Sequence, residues 1–228
     1  MKQLKKGFFS SVDAIIWFIL AFLIVAMIAV PNFATMNNFK NILSQSCVLL
    51  TVACGVHFAV LNGGVDFSST SIIALSSVVG ASIMSETSGY LAGKWYAIPV
   101  ALLAMLALGA VFGIVNGIAV TVFKMPSFIA TMATQLIGTG IAVIYSSGKT
   151  IGGLPDSFAD FGGGTFFGII PNVLLLALAV MLISHIICSR TLYGRRLYSV
   201  GTNPKAALIS GIPVKKTIFW IFILSGLC

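Results

Sequence analysis

Long apolar runs separated by short polar intervals make up most of this 228-residue chain. A run of about 18 or more residues without a charge is long enough to cross a membrane as a helix. Six runs free of Asp, Glu, Lys and Arg can be drawn, and a seventh begins at Thr217. The six cover residues 14–30, 42–61, 67–84, 97–123, 127–145 and 166–188. This pattern predicts an all-α, polytopic integral membrane protein with six transmembrane helices and the start of a seventh.

The longest polar interval is residues 190–216, and it carries no acidic residue. It holds six of the 13 Lys and Arg residues of the chain: Arg190, Arg195, Arg196, Lys205, Lys215 and Lys216. Loops enriched in Lys and Arg stay on the cytoplasmic side of a membrane. Within the interval, Asn203 is a favoured N-cap, Pro204 suits the first helical turn and Gly211 suits a helix end. We therefore predict a short capped helix in a cytoplasmic loop.

The other basic residues fit an orientation with the N-terminus in the cytoplasm. Lys2, Lys5 and Lys6 precede the first apolar run, which lacks a following cleavage site and is read as a retained helix. If six helices alternate from there, only Lys40, Lys94 and Lys149 lie outside. The acidic residues Glu86, Asp156 and Asp160 also lie outside. This distribution follows the positive-inside rule.

The composition excludes several classes of function. The chain is 58% hydrophobic and 8% charged, which is not typical of a soluble protein. The net charge of +8 comes from residues beside helix ends, so no nucleic-acid partner is expected. The four cysteines have no zinc or redox spacing. No Ser/His/Asp set, metal-ligand cluster or intramembrane carboxylate pair occurs, so we expect no enzyme activity, no metal and no cofactor.

The second and third runs are joined by a strong helix breaker, Asn62-Gly63-Gly64, and Asp66 or Ser68 can cap the next helix. Two interpretations stay open. The segment is either a tight turn or a helix interrupted within the membrane, whose freed backbone groups line a translocation path.

Polar side chains inside the other runs also leave alternatives. Asn116 lies among Gly109, Gly113 and Gly117, whose spacing allows close approach of a neighbouring helix. Its amide is either an interhelical hydrogen-bonding group or a ligand contact. Thr131, Thr134 and Gln135 make one face of the fifth helix mildly polar, bordering a passage unless the threonines bond back to their own helix. His57 and His185 are either interhelical hydrogen-bonding groups, which we favour, or part of a proton path.

Three segments resemble the permease subunits of bacterial ABC sugar importers of the ribose/galactose/arabinose type, which are related to branched-chain amino acid permeases. The segments are GGVDFSSTSIIALSSVVGA (63–81), VNGIAVTVFKMPSFIATMAT (115–134) and TLYGRRLYSVGTNPKAALISGI (191–212). Phe67 and Ser127 depart from the family pattern, where leucine and a second proline are usual. Three matches in the right order, each beside the right apolar run, make a family-level resemblance that extends over nearly all of the chain.

The resemblance implies a single transmembrane permease domain over residues 1–228, with a cytoplasmic coupling loop at 190–216. The residues implied to couple to the ATPase are Gly201, Asn203, Ala206, Ala207, Leu208 and Gly211. The residues expected along the translocation path are Gly63, Gly64, Asp66, Ser68, Asn116, Thr131 and Gln135. The implied partners are a separate ATP-hydrolysing subunit, an extracytoplasmic sugar-binding protein and a second permease chain, forming a homodimer.

The expected function is ATP-driven import of a small sugar across the bacterial cytoplasmic membrane by alternating access. Such permeases have further C-terminal helices, so we expect this chain to be about the first two-thirds of one. The alternatives are an ion-gradient-driven transporter or channel, an intramembrane enzyme and an inactive truncated permease. The first needs intramembrane charges that the six runs lack, and the second lacks catalytic residues.

Overall fold

A computed structural model describes residues 14–228, and in that range the chain is predominantly helical. The helices are α1 (Ala14–Ala29), α2 (Met36–Leu61), α3 (Ser69–Met84), α4 (Ala97–Thr121), α5 (Ser127–Ser146), α6 (Asp156–Gly163), α7 (Asn172–Arg190), α8 (Leu192–Thr202), α9 (Pro204–Ile209) and α10 (Val214–Leu227). Two strands, β1 (Thr165–Phe166) and β2 (Ile170–Pro171), pair antiparallel in one small hairpin. The predicted all-α class is confirmed. Lys2, Lys5 and Lys6, on which the predicted cytoplasmic N-terminus depends, lie outside the described residues.

Each of the six apolar runs contains one helix, and two helix starts differ from the prediction by six residues. α2 begins at Met36, before its apolar run, because the Thr35 side chain accepts a hydrogen bond from the Asn38 backbone N–H (3.3 Å) and so caps the helix. α7 begins at Asn172 because the residues before it form the hairpin. Phe167 and Gly168 adopt positive φ angles there, which a continuing helix does not allow.

Four helices within residues 14–228 are long and apolar enough to cross a membrane: α2, α4, α5 and α7. α1 and α3 are also apolar but have 16 residues each. At 1.5 Å per residue they are about 24 Å long, short of a hydrocarbon core of about 30 Å. The described chain therefore has four helices of spanning length and two shorter apolar ones.

The chain divides into two compact units, of which the second is Gln45–Cys228. In this unit α3 packs against α4 and α5, and α10 packs along α4. The α4–α10 contact is made possible by glycines. A Cβ atom at Gly109 would overlap the Gly226 carbonyl group, and one at Gly113 would overlap the Phe222 carbonyl oxygen. The predicted close approach at this glycine face is confirmed, and its partner is α10.

The connecting segments of the second unit gather at two ends of the helices. At one, here called the loop end, Ser85 Oγ donates to the Gly152 carbonyl oxygen (2.7 Å), and Glu86 N donates to that of Gly153 (2.7 Å). These bonds join residues 85–96 to the segment before α6. At the other, here called the break end, residues 62–68 meet the start of α5, and α8 meets the end of α2. The basic interval thus lies at the end opposite the acidic loops.

Candidate functional site

The chain between α2 and α3 is a non-helical segment of seven residues, 62–68, here called the break. Gly63 and Gly64 begin it: the Gly63 N–H donates to the Val60 carbonyl oxygen and the Gly64 N–H to that of Ala59. Gly63 has φ +74°, a conformation that a side chain would strain. The predicted helix breaker is confirmed.

The backbone of the break is hydrogen-bonded to side chains of α5. Val65 N donates to Ser127 Oγ (3.2 Å), and Phe67 N donates to Thr131 Oγ1 (3.1 Å). Thr131 Oγ1 in turn donates to the Ser127 carbonyl oxygen one turn earlier (2.9 Å). Backbone groups freed from a helix must find other partners when they are removed from water. In this segment the first turns of α5 supply them.

A chain of buried side-chain hydrogen bonds continues from the break across α4 to α5. Asp66 Oδ1 accepts from Ser68 N (2.9 Å) and Ser68 Oγ (2.6 Å). Asn116 Nδ2 donates to Ser68 Oγ (2.9 Å), and Thr134 Oγ1 donates to Asn116 Oδ1 (2.8 Å). Asp66 is 4% exposed, and Ser68 and Asn116 are fully buried. Ser68 is the N-cap residue of α3 but its side chain makes no cap bond, and Asp66 bonds to Ser68 itself and not to the first turn of the helix, so neither predicted cap forms.

The depth of this network follows from positions along the helices. Asn116 lies five residues before Thr121 at the end of α4, and Thr131 lies four residues after Ser127 at the start of α5. At 1.5 Å per residue the network is about 6–8 Å inside the helix ends. The middle of a 30 Å hydrocarbon core would be about 15 Å from either surface. The break thus enters the helix bundle without reaching the middle of these two helices.

Most of the residues expected along the translocation path are brought together here. Gly64, Asp66, Ser68, Asn116 and Thr131 all belong to the break or to its hydrogen-bond network. Gly63 is the exposed turn residue of the break, and Gln135 is half-buried on α5 outside the network. Asn116 acts as an interhelical hydrogen-bonding group, as one alternative proposed.

Two members of the network were missed as site residues: Ser127 and Thr134. Thr131 also shows why they are hard to identify, because its hydroxyl bonds back to its own helix and to the break at once. The four-residue spacing of Ser127 and Thr131 was the available signal.

The second cluster of predicted residues is the basic interval, where the short capped helix is confirmed as α9. Asn203 Oδ1 accepts from Lys205 N (3.1 Å) and Ala206 N (3.0 Å), which caps the helix. Gly211 has φ +78° at the turn that follows. The sequence did not predict α8, which precedes α9 and is capped by Thr191 through the Gly194 N–H (3.1 Å).

α8 is held firmly against the end of the bundle. Its Leu197 is fully buried in a cluster with Phe58, Cys188 and Ile221, from three other helices. Tyr193 Oη donates to the Thr217 carbonyl oxygen (3.1 Å). Burial raises the pKa of the Tyr193 phenol, which keeps the proton that this bond requires.

Two glycines let the backbone of α8 touch neighbouring helices. A Cβ atom at Gly194 would overlap the Cys188 carbonyl group of α7. One at Gly201 would overlap the carbonyl oxygen of Leu61, the last residue of α2 and the residue before the break. Gly201 is thus committed to packing within this chain.

α9 is more exposed than α8. Leu208 is 65% exposed and Ile209 is 87% exposed, whereas Ala207 is 4% exposed. Of the other residues predicted for coupling, Asn203, Ala206 and Gly211 are exposed. The free apolar surface of this segment is therefore Leu208 and Ile209, and Ala207 and Gly201 face the protein itself.

We favoured hydrogen bonds between helices for the histidines, and His185 does not make one. His185 Nδ1 lies 3.4 Å from Ser189 Oγ, one turn further along the same helix. His57 and His185 do, however, border one groove between α2 and α7. The four cysteines are free thiols.

Four apolar helices of spanning length, a buried polar break between α2 and α3 and a basic segment at one end indicate a polytopic membrane protein. Residues 38–228 match the family described as branched-chain amino acid transport system / permease component. The chain belongs to this family of transport permeases.

Several characterised relatives are similar over most of the chain. The galactose/methyl galactoside import permease protein of Haemophilus influenzae is 32% identical over 224 residues, covering 93% of this chain and 66% of the relative. The L-arabinose transport system permease protein of Escherichia coli is 35% identical, covering 90% and 60%. The ribose import permease protein of Bacillus subtilis is 36% identical, covering 90% and 62%. This chain thus spans 60–66% of the length of these relatives. No solved structure matches it significantly.

Proposed function

We propose that this chain is the membrane-spanning subunit of an ATP-driven importer that moves a small sugar across the bacterial cytoplasmic membrane by alternating access. The relatives named above are import or transport permeases for galactose, arabinose and ribose. A sugar therefore has more support as the substrate than a branched-chain amino acid. ATP hydrolysis belongs to a separate subunit in this proposal.

The proposed topology has six spans and the start of a seventh, with the N-terminus in the cytoplasm. α1, α2, α3, α4, α5 and α7 are the six, and α10 is the seventh. The break end would face the cytoplasm because it carries Lys124 and the basic residues of α8, α9 and the start of α10. The loop end, with Glu86, Asp156 and Asp160, would face outward and meet the sugar-binding protein. A second copy of the permease would complete a homodimer.

The proposed contact with the ATPase is α9. Leu208 and Ile209 are large apolar side chains that water surrounds in this chain alone, and they lie on a segment too polar for the bilayer. Such side chains are suited to filling a groove on a partner. Because α9 follows α8 directly, a push on α9 would reach the bundle through α8.

The proposed path of that motion leads to the break. Gly201 of α8 touches the carbonyl oxygen of Leu61, directly before Asn62 and Gly63. A shift of α8 would therefore move the end of α2 and pull on the bonds between the break and α5. Opening this network would free the polar groups of Asp66, Ser68 and Asn116, which suit the hydroxyl groups of a sugar. Gln135 would lie further along the same path.

The single observation that carries this proposal is the exposed apolar pair Leu208 and Ile209 of α9. It supports the proposal because α9 directly follows α8, which is packed against the helix bundle, and because the chain is similar to sugar permeases. The test is a Leu208→Asp substitution, with Ile169→Asp as the matched control, because Ile169 is 59% exposed at the loop end. We expect Leu208→Asp to abolish both co-purification with the ATPase subunit and ATP-dependent sugar uptake in cells. Ile169→Asp should preserve co-purification. Normal uptake and co-purification of Leu208→Asp would refute the docking role of α9.

A further inference from the structure

A groove of about 300 Å³ opens between α2, α7 and α8 near the break end. It is distinct from the break and its hydrogen-bond network. Its walls are Ala53, Cys54 and His57 of α2, Met181, Ser184, His185, Cys188 and Ser189 of α7, and Tyr198 of α8.

The polarity of the groove changes along its length. Ala53 and Met181 lie furthest from the ends of α2 and α7, whereas Ser189 is next to the last residue of α7 and Tyr198 belongs to α8, which follows it. α7 continues from Ser189 into Arg190, its last residue. The groove therefore has an apolar inner part and a polar mouth, which is the arrangement of a phospholipid with its acyl chain inward and its headgroup at the mouth.

Both histidines of the chain border this groove and are exposed. Each belongs to an apolar helix long enough to span a membrane. An ionisable side chain on such a helix is costly unless a polar group meets it. His185 lies five residues before Arg190, about 7.5 Å along the helix, so it lies nearer to the mouth of the groove than Met181 does. His185 Nδ1 lies 3.4 Å from Ser189 Oγ, and a headgroup phosphate can supply a polar contact at the other ring nitrogen.

The charge around the mouth favours an anion. Arg190 is the last residue of α7. On α8, Arg195 lies about one turn before Tyr198, and Arg196 is the residue after Arg195. The sequence contains no Asp or Glu after Asp160. Within the described residues no three His, Cys, Asp or Glu side chains converge as metal ligands, which disfavours a cation here. Basic sites between helices near the cytoplasmic face are known to hold anionic lipid headgroups.

We propose that this groove binds one anionic phospholipid. Its phosphate lies at the mouth, where His185, Ser189 and Tyr198 can donate hydrogen bonds and the nearby Arg195 supplies charge. One acyl chain runs inward along Met181 and Ala53. The lipid contacts both α7 and α8, so it would stabilise the packing of α8 against α7. This inference requires membrane insertion but not the importer function.

The test is native mass spectrometry of the purified chain in detergent, titrated with phosphatidylglycerol and, separately, with phosphatidylcholine. We expect one phosphatidylglycerol to bind about tenfold more tightly than phosphatidylcholine. Loss of a hydrogen bond to a charged group corresponds to about a tenfold loss of affinity, so Tyr198→Phe and His185→Leu should each weaken binding by about that factor. Tyr96→Phe, a half-exposed tyrosine at the loop end, should leave it unchanged.

Three outcomes would overturn the proposal. Equal affinity for the two lipids would show that the groove does not select an anionic headgroup. Unchanged binding in Tyr198→Phe and His185→Leu would place the lipid elsewhere. Displacement of phosphatidylglycerol by millimolar inorganic phosphate would indicate a simple anion site without a lipid chain. Because all three residues are exposed, circular dichroism of each variant should match that of the unmodified chain and exclude misfolding.

Discussion

Asn116 joins three helices with the two ends of one amide. Its Nδ2 group donates to Ser68 at the start of α3, and its Oδ1 atom accepts from Thr134 on α5. An amide is the side chain suited to this position, because a carboxylate cannot donate and a hydroxyl group is too short to span both partners. The sequence marks Asn116 as unusual because it stands in an apolar run. Its partners could not be predicted, since serine and threonine commonly bond to their own helix.

The first prediction concerns this amide. Asn116→Leu keeps the approximate volume but removes both hydrogen bonds, and it leaves the buried Ser68 hydroxyl group with a weaker set of partners. We expect the free energy of unfolding to fall by about 1–3 kcal/mol. Thermal unfolding in detergent measures the change. Ser146→Ala, at the exposed end of α5, is the control, and an equal small effect of both substitutions would contradict the role of Asn116.

The second prediction concerns Gly201, whose contact with Leu61 leaves no room for a methyl group. Gly201→Ala should force α8 away from the end of α2, with a cost of about 1–3 kcal/mol as in other overpacked sites. In the proposed importer this variant should still bind the ATPase through α9 but transport sugar more slowly. The ratio of uptake rate to ATP hydrolysis measures that separation. A normal ratio would show that motion does not pass through the Gly201–Leu61 contact.

At the scale of elements, the molecule depends on helices whose stability comes from their neighbours. α9 was predictable because Asn203, Pro204 and Gly211 are local signals that act within one turn. α8 was not, because its two tyrosines and two glycines have little intrinsic preference for a helix, and its stability comes from burying Leu197 and Val200 against other helices. Capping residues could be recognised in the sequence, whereas a helix that depends on tertiary packing could be recognised only in the structure.

The glycine face of α4 gives the third prediction. Gly113→Ala would bring a methyl group against Phe222 and Ile223 of α10, where the nearest Cα atom is 2.6 Å away. We expect it to lower the free energy of unfolding by about 1–3 kcal/mol. Gly140→Ala on α5 faces open space and is the matched control. That control should be neutral or stabilising by up to about 1 kcal/mol, because alanine favours the helix. Equal effects would mean that α10 does not pack closely on α4.

At the scale of the whole molecule, the apolar pattern predicts the class and the order of the helices. It could not predict that α3 is short, or that residues 62–68 lie against α5, because both depend on contacts between segments far apart in the chain. The two ends of the helices were predicted by alternation alone. In the structure, hydrogen bonds and close contacts join the acidic loops at one end and the basic segments at the other.

The proposed importer requires the basic segment to face the cytoplasm, where an ATPase can reach α9. The direct measurement places a single cysteine at Ser199 or at Thr150 of a chain whose four native cysteines are replaced, and treats intact cells with a membrane-impermeant maleimide. Both positions are exposed, on α8 and at the loop end. We predict that the cysteine at Thr150 reacts in intact cells and that the one at Ser199 reacts only after permeabilisation. Reaction at Ser199 in intact cells would contradict the account.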